Sequence, residues 1–156
     1  MSRDDLVNYL AGVPARLSTL AAQLSPDALR HPLEDGWTPL QVLGHVRDSI
    51  AINLERFQRI VTEDQPTIVS WNPDEMAAQA DYNSQSLEDI LSDLTANRQR
   101  MVELLRSLDD EQWQRTGQHE DPQWGSISVE WLANHLRQHE TEHTADIERV
   151  AARRSA

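Results

Sequence analysis

The sequence contains no cysteine among its 156 residues. Disulfide bonds, thiolate metal ligands and a cysteine nucleophile are therefore excluded from its chemistry. Any metal would have to be bound by imidazole or oxygen ligands. Any thiol that took part in a reaction would have to come from solution.

Positive charge is also scarce. The chain has 14 basic and 26 acidic residues, a formal net charge of −12, and all of its basic residues are arginine. Binding to a phosphate backbone needs a basic surface patch. Only Arg153 and Arg154 are adjacent basic residues, so we expect no nucleic-acid partner.

No stretch of the chain approaches the roughly 20 consecutive apolar residues that a membrane-spanning helix needs. The first residues, MSRDDLVNYLAGV, lack the apolar core of a signal peptide. We therefore expect a cytoplasmic protein without membrane contacts. The length favours a single domain over residues 1–156.

The alternation of apolar and polar residues that is typical of strands is missing, whereas apolar residues recur at helical spacing. This pattern predicts no strand and four long helices near residues 14–24, 39–61, 84–107 and 128–152. Helices with one apolar stripe bury it against each other, so the fold class is an all-α four-helix bundle.

Local signals place the first two helices. Ser2 is a candidate N-cap with Asp5 three residues later, but Pro14 interrupts the pattern, so we place the main part of the first helix after it. The second helix opens with TPLQ, in which Thr38 caps and Gln41 completes a capping box. The preceding tryptophan, in WTPLQV, stands where a hydrophobic staple would place it.

The segment HETEH near the C-terminus reads as H-E-x-x-H, the signature of zinc metalloproteases. His139 and His143 share one helix face and continue the apolar stripe of Leu136 and Ile147. Two imidazoles in core positions need partners for their nitrogens. The spacing favours a shared metal ion, with buried structural histidines as the alternative.

A third ligand is available on the second predicted helix. His45 lies on the flank of its apolar stripe, next to Gly44, a poor helix former. His135 lies one position off the stripe of the last helix and is the alternative ligand, while His31 and His119 lie in polar connections and should be exposed. Three histidines with open coordination positions are typical of catalytic metals.

Neither familiar reading of H-E-x-x-H fits the chain. Only 13 residues follow His143, whereas the proteases usually take a third ligand well downstream and align their substrate along a strand. Di-iron bundles need E-x-x-H on two helices together with further carboxylates. The other histidines of this chain lack a glutamate three residues before them.

Two segments of the sequence resemble the DinB-like superfamily of metal-binding four-helix bundles. GWTPLQVLGHVRDS contains His45 and is similar to the first histidine segment of the family. GSISVEWLANHLRQHETEHTADI contains His139 and His143 and is similar to its last helix. WNPDEMAAQADYN and Arg98 resemble the middle section, so the likeness covers nearly the whole chain.

The resemblance implies an up-down-down-up bundle, often a homodimer, with one divalent metal held by His45, His139 and His143. Zinc or nickel is the first expectation, and iron or manganese the next. Members of the family include thiol-dependent S-transferases and metal-dependent hydrolases.

We expect a transferase first, in which the metal activates a low-molecular-weight thiol such as bacillithiol for attack on a small-molecule electrophile. The first alternative is a hydrolase that uses metal-activated water. The second is a metal-binding stress-response bundle that catalyses nothing and works through an interface.

Several polar residues have open roles. Asp48 and Asp146, each three residues after a predicted ligand, either orient the imidazoles or are solvated. Arg98 interrupts a core stripe and either extends to solvent or binds an anionic substrate. Glu140 is disfavoured as a general base because its neighbours in sequence point to another face.

The loop over residues 62–83 should form the rim of a cavity at the site, with Trp71 and Tyr82 as its aromatic side chains. Ordinary packing at the end of the bundle is the alternative for both.

Overall fold

The structure is a computed structural model and describes residues 1–154. Seven α-helices and three short strands lie in this part of the chain. The helices are α1 (Arg3–Ala21), α2 (Pro26–Leu29), α3 (Pro39–Thr62), α4 (Pro73–Ala80), α5 (Leu87–Ser107), α6 (Asp110–Trp113) and α7 (Val129–Arg154); the strands are β1 (Thr67–Ile68), β2 (Thr116–His119) and β3 (Ser126–Ser128).

The four long helices α1, α3, α5 and α7 form the bundle. Helices α1 and α3 each pack against both α5 and α7, so α1 lies diagonally across from α3. Side-chain contacts show the relative directions of the helices. Helix α1 is parallel to α7 and antiparallel to α5. Helix α3 is parallel to α5, as contacts with the residues on either side of α5 show. These contacts are Tyr9–Thr141 and Arg16–Glu148, Arg47–Gln85 and Ile60–Arg115, and Asn8–Arg106 and Leu10–Arg98. The predicted up-down-down-up topology is confirmed.

The expectation of no strand is wrong. The two long connections form a three-stranded sheet in the order β1-β2-β3, with β1 parallel and β3 antiparallel to β2. Each strand has four residues or fewer, which is too short for an alternating pattern to appear. Gly117 in β2 permits the close approach of β1, because a Cβ atom there would lie 2.9 Å from the carbonyl oxygen of Pro66.

The first helix begins earlier and ends earlier than predicted. The capping box of Ser2 and Asp5 opens α1, and the helix continues through Pro14, whose missing N–H leaves the carbonyl of Leu10 without its usual donor. The guanidinium of Arg98 donates to that carbonyl at 3.4 Å. This donor lies on another helix, so the proline appeared more disruptive from the sequence than it is.

The other long helices begin and end close to their predicted residues. Thr38 and Gln41 form the expected capping box at the start of α3. The helix predicted from residue 84 begins three residues later, because Ser84 ends a 3₁₀ turn, Tyr82–Ser84, and Ser86 caps α5. Among residues 1–154, no helix combines the length and the apolar character that crossing a membrane requires.

The buried stripe of α7 is offset from the predicted one. The turn that was expected to bury His139 and His143 instead buries Glu140 and Thr144, which are 1% and 5% exposed, and the two histidines lie half-buried on its flank. A carboxylate can take this core position because Arg98 pairs with it from α5. A stripe read along one helix does not reveal such a partner.

Candidate metal centre

Three histidines from two helices converge beside the core. Nε2 of His45 lies 3.0 Å from Nε2 of His139, and Nε2 of His143 lies 3.1 Å from the same atom. One nitrogen from each of the three rings lies within 4.8 Å of the others. The pair on α7 meets because residues four apart share a face, and the antiparallel packing of α3 brings His45 opposite them.

These separations suit a bound ion. Two nitrogens about 2.0–2.2 Å from one metal and separated by an angle of about 90–110° lie roughly 2.8–3.6 Å apart, a range that includes both measured distances. Hydrogen bonding explains the arrangement poorly, because Nε2 of His139 carries either one proton or one lone pair and faces two other nitrogens. The donor set fits a divalent cation.

Burial keeps the three imidazoles uncharged. It lowers the pKa of His45 to about 3 and that of His139 to about 4, and the neighbouring imidazoles add to both shifts. Burial also lowers the pKa of His143, although the carboxylate of Asp146 opposes this shift. At neutral pH the rings therefore offer lone pairs rather than positive charges.

Two tryptophans enclose His45. The ring of Trp71 stacks on the imidazole with centroids 5.4 Å apart, and the ring of Trp37 meets it edge-on at 5.5 Å. Trp71 was expected near the site, whereas Trp37 was assigned only to helix capping. Its place directly before the cap of α3, two turns from His45, is the signal that would have identified it.

The glutamate of H-E-x-x-H lies apart from the histidine cluster. Glu140 faces away from the histidines, and its carboxylate forms a buried ion pair with Arg98. Burial raises the pKa of Glu140, and the charge of Arg98 opposes this shift. Both readings of Arg98 are wrong, because a side chain that is 1% exposed neither reaches solvent nor meets a substrate.

The carboxylate of Asp48 does not orient His45. It accepts from Nε of Arg47 at 3.0 Å and from the hydroxyl of Tyr82. Tyr82 is 1% exposed and is therefore not at a rim. Its ring covers Gly44, where an added Cβ atom would clash with it, so this glycine makes room for the aromatic ring.

Asp146 lies closer to a ligand. Its Oδ2 atom is 3.7 Å from Nδ1 of His143, and its Oδ1 atom accepts from Arg149. Nδ1 of His143 and Nδ1 of His45 are both buried and have no hydrogen-bond partner. The outer nitrogen of His143 therefore faces a carboxylate at a distance longer than a hydrogen bond.

The remaining histidines stay outside the cluster. His135 stacks on Trp131 with centroids 4.8 Å apart. His119 accepts from the backbone N–H of Asp121 at 3.0 Å, and His31 is exposed as expected. His45, rather than His135, is the histidine that the structure places beside the HETEH pair.

The fold and this cluster define a class of protein, a four-helix bundle in which three histidines from two helices converge. A sequence model described as the DinB superfamily matches residues 9–147. The chain therefore belongs to the DinB superfamily, and the resemblance drawn from its two histidine segments is confirmed.

Individual relatives agree. A proposed metal-dependent hydrolase of Oceanobacillus iheyensis is 30% identical over 152 residues, which cover 97% of this chain and 87% of the relative. YfiT of Bacillus subtilis is 30% identical over 120 residues, or 76% of this chain and 67% of that protein. The solved structure of YfiT, described as an inferred metal-dependent hydrolase with an unusual four-helix bundle topology, matches with a TM-score of 0.91 and 27% identity, over 98% of this chain and 89% of that one.

Proposed function

We propose that this protein is a metal-dependent hydrolase of small molecules, with a divalent ion held by His45, His139 and His143. The convergence of the three neutral imidazoles carries the proposal. The names of the relatives support the reaction class. When bound, the ion supplies a Lewis acid that generates a nucleophile at neutral pH.

The protein supplies the surroundings of the ion. Trp37 and Trp71 hold the ring of His45 between them and shield it from water. Asp146 faces the outer nitrogen of His143 and favours the tautomer that leaves Nε2 free to bind. Glu140 is occupied by Arg98 and is therefore not available as the proton acceptor.

A thiol transferase is the second candidate. Three neutral ligands leave the full charge of the ion available to a thiolate, and the chain has no cysteine to compete for it. The low-molecular-weight thiol and the electrophile would both be substrates. The enclosed imidazoles suit either nucleophile, and the relatives' names favour water.

One experiment separates these functions. The metal-free protein is loaded in turn with zinc, nickel, iron(II) or manganese, and a panel of esters, amides and lactones is assayed without thiol. An aryl halide is then assayed with bacillithiol or cysteine. We expect metal-dependent hydrolysis that His45→Ala abolishes and that His31→Ala, at an exposed loop residue, retains.

Turnover that needs a thiol would replace the hydrolase with the transferase. A protein that retains one metal ion per chain and turns over no substrate would favour the non-catalytic binding protein. The homodimer stays a prediction, and light scattering at micromolar concentration checks it.

A further inference from the structure

A second feature lies beside the histidine cluster. Side chains from α3, α7 and the two long connections line an open cavity of about 180 Å³. We call it the tryptophan cavity and define it by Arg56, Trp71, Trp124, Trp131 and His135. These residues include none of the three predicted metal ligands.

The tryptophan cavity adjoins the predicted metal centre on two sides. Trp71 lines it and also stacks on the ring of His45, so one indole separates the two. His135 lies one helical turn before His139 on α7. A molecule in the cavity would therefore lie across the indole of Trp71 from the ring of His45.

The mouth of the cavity is aromatic and unusually exposed. Trp124 and Trp131, which line the cavity, are 43% and 39% exposed, and they are two of the four large apolar side chains that the described part of the chain leaves exposed. Trp124 lies 5.8 Å from Trp131, which in turn stacks on His135. Apolar surface concentrated at one place marks a binding site, because covering it is favourable.

The volume of the cavity suits a single ring. An apolar protein cavity of about 150 Å³ is large enough to bind benzene. At about 180 Å³ the tryptophan cavity would hold a six-membered ring with a short substituent. Larger groups would have to extend past Trp124 and Trp131 into solvent.

The charge of the lining selects an anion. Among the described residues that line the cavity, Arg56 carries a permanent charge and none is a carboxylate. The guanidinium donates to Oδ1 of Asn53 at 3.3 Å and to the carbonyl of Val69 at 2.7 Å, which uses two of its five N–H groups. Glu55, whose charge acts on Arg56, and Glu120, which accepts from the backbone N–H of Ser70, both lie outside the lining.

We propose that the tryptophan cavity binds a single-ring aromatic carboxylate, with the ring among the three indoles and the carboxylate on Arg56. This inference rests on the proposed function in one respect, since it makes the cavity the substrate subsite of the histidine centre. Stacking on the indoles holds the ring, and a charge-assisted hydrogen bond to the guanidinium holds the carboxylate.

Trp indole resonances test the proposal directly. The five indole N–H signals are assigned in the zinc-loaded protein by single substitutions, and phenylacetate is titrated against phenylacetamide and phenethylamine. We expect phenylacetate to shift the signals of Trp71, Trp124 and Trp131, and to leave that of Trp113, which is buried at α6, unchanged. The amide should bind more weakly, and the amine should produce no shift.

Two arginines on α3 give a matched pair of variants. Arg56→Gln should weaken phenylacetate binding at least about tenfold and leave phenylacetamide binding unchanged. Arg59 also donates to a carbonyl of the same connection, that of Thr67 at 2.9 Å, and does not line the cavity, so Arg59→Gln should bind as the unmodified protein does. Trp131→Leu supplies a second variant should Arg56→Gln fail to fold.

The outcomes distinguish this inference from the proposed function. If zinc binds and phenylacetate leaves all three cavity signals in place, or if the amine binds as well as the carboxylate, the cavity assignment is wrong and the metal centre stands. If phenylacetate binds as expected with and without zinc and the protein retains no metal, the cavity assignment stands and the hydrolase proposal fails.

Discussion

Polar side chains lie on two sides of one turn of α7. On one side they are paired with an opposite charge, and on the other side they are not. On one side Glu140 is 1% exposed, and the charge of Arg98 compensates for its burial. On the other side His139 and His143 are half-buried, and their Nε2 atoms face another imidazole nitrogen. A paired buried charge is satisfied within the fold, whereas lone pairs that face each other repel unless a proton or a cation lies between them.

The comparison explains why a protease motif gives a different site here. In zinc proteases the glutamate of H-E-x-x-H acts as the general base beside the metal. In this bundle the same glutamate points into the core and joins α7 to α5. The histidine pair still converges on one point, so the spacing brings the two imidazoles together and the surrounding helices decide the role of the glutamate.

Removing one partner of the ion pair between Arg98 and Glu140 should have the largest effect, and this effect is on stability. Arg98→Met leaves the carboxylate of Glu140 buried and unpaired, so the free energy of unfolding should fall by about 3–5 kcal/mol. Urea titration of the metal-free protein measures it. The double variant Arg98→Met with Glu140→Met should recover most of the loss and still retain zinc.

If the double variant folds and loses its zinc, the glutamate side also serves the metal. The separation of the two sides of α7 would then be wrong.

Removing one imidazole should affect metal content more than the fold. His45→Ala takes away one of three ligands, so affinity for zinc should fall by at least about 100-fold, more than outer partners of a ligand usually contribute. His135→Ala, on the neighbouring turn of α7 and outside the cluster, should retain one ion per chain. Elemental analysis after dialysis measures both variants.

A full ion in His45→Ala together with a loss in His135→Ala would place the site along α7 alone. The triad would then be wrong.

Acid should destabilise the metal-free protein because the buried, neutral histidines of the cluster resist protonation. The pKa values of His45 and His139 are about 3 and 4 in the folded protein, below the value of about 6.5 in an unfolded chain. Between pH 6.5 and pH 4 the unfolded state therefore binds more protons than the folded state. The free energy of unfolding decreases as the pH is lowered, by at most about 1.4 kcal/mol per pH unit for each histidine. Glu140 acts in the opposite direction because its pKa is raised.

Urea titrations at pH 7, 6 and 5 in the presence of a chelator measure this slope. His45→Gln should reduce it, and His31→Gln, at an exposed residue, should not. A slope that His45→Gln leaves unchanged would contradict the assignment of His45 as a buried neutral imidazole.

Features that arise within a single helix could be predicted from the sequence. The capping box of Thr38, the apolar stripes and the pair of histidines four apart are all local patterns. His45 was named from its place beside an apolar stripe, with His135 as the alternative, and the resemblance favoured His45. Two features depend instead on Arg98. Glu140 occupies the core position that was predicted for His139, and α1 continues through Pro14. Such compensation between helices has no periodic signature in a single chain.

The smallest effect should come from the carboxylate beside His143. Asp146 lies 3.7 Å from Nδ1 of His143 and is shared with Arg149, so Asp146→Asn should weaken zinc binding less than the 10- to 100-fold typical of a hydrogen-bonded partner, by roughly 2- to 10-fold. Asp48 is the matched control, because it also follows a predicted ligand by three residues but contacts Arg47 and Tyr82. Asp48→Asn should leave the affinity unchanged in a competition titration with a chelating dye at pH 7. Equal losses in the two variants would mean that the charge near the cluster matters and the contact with His143 does not.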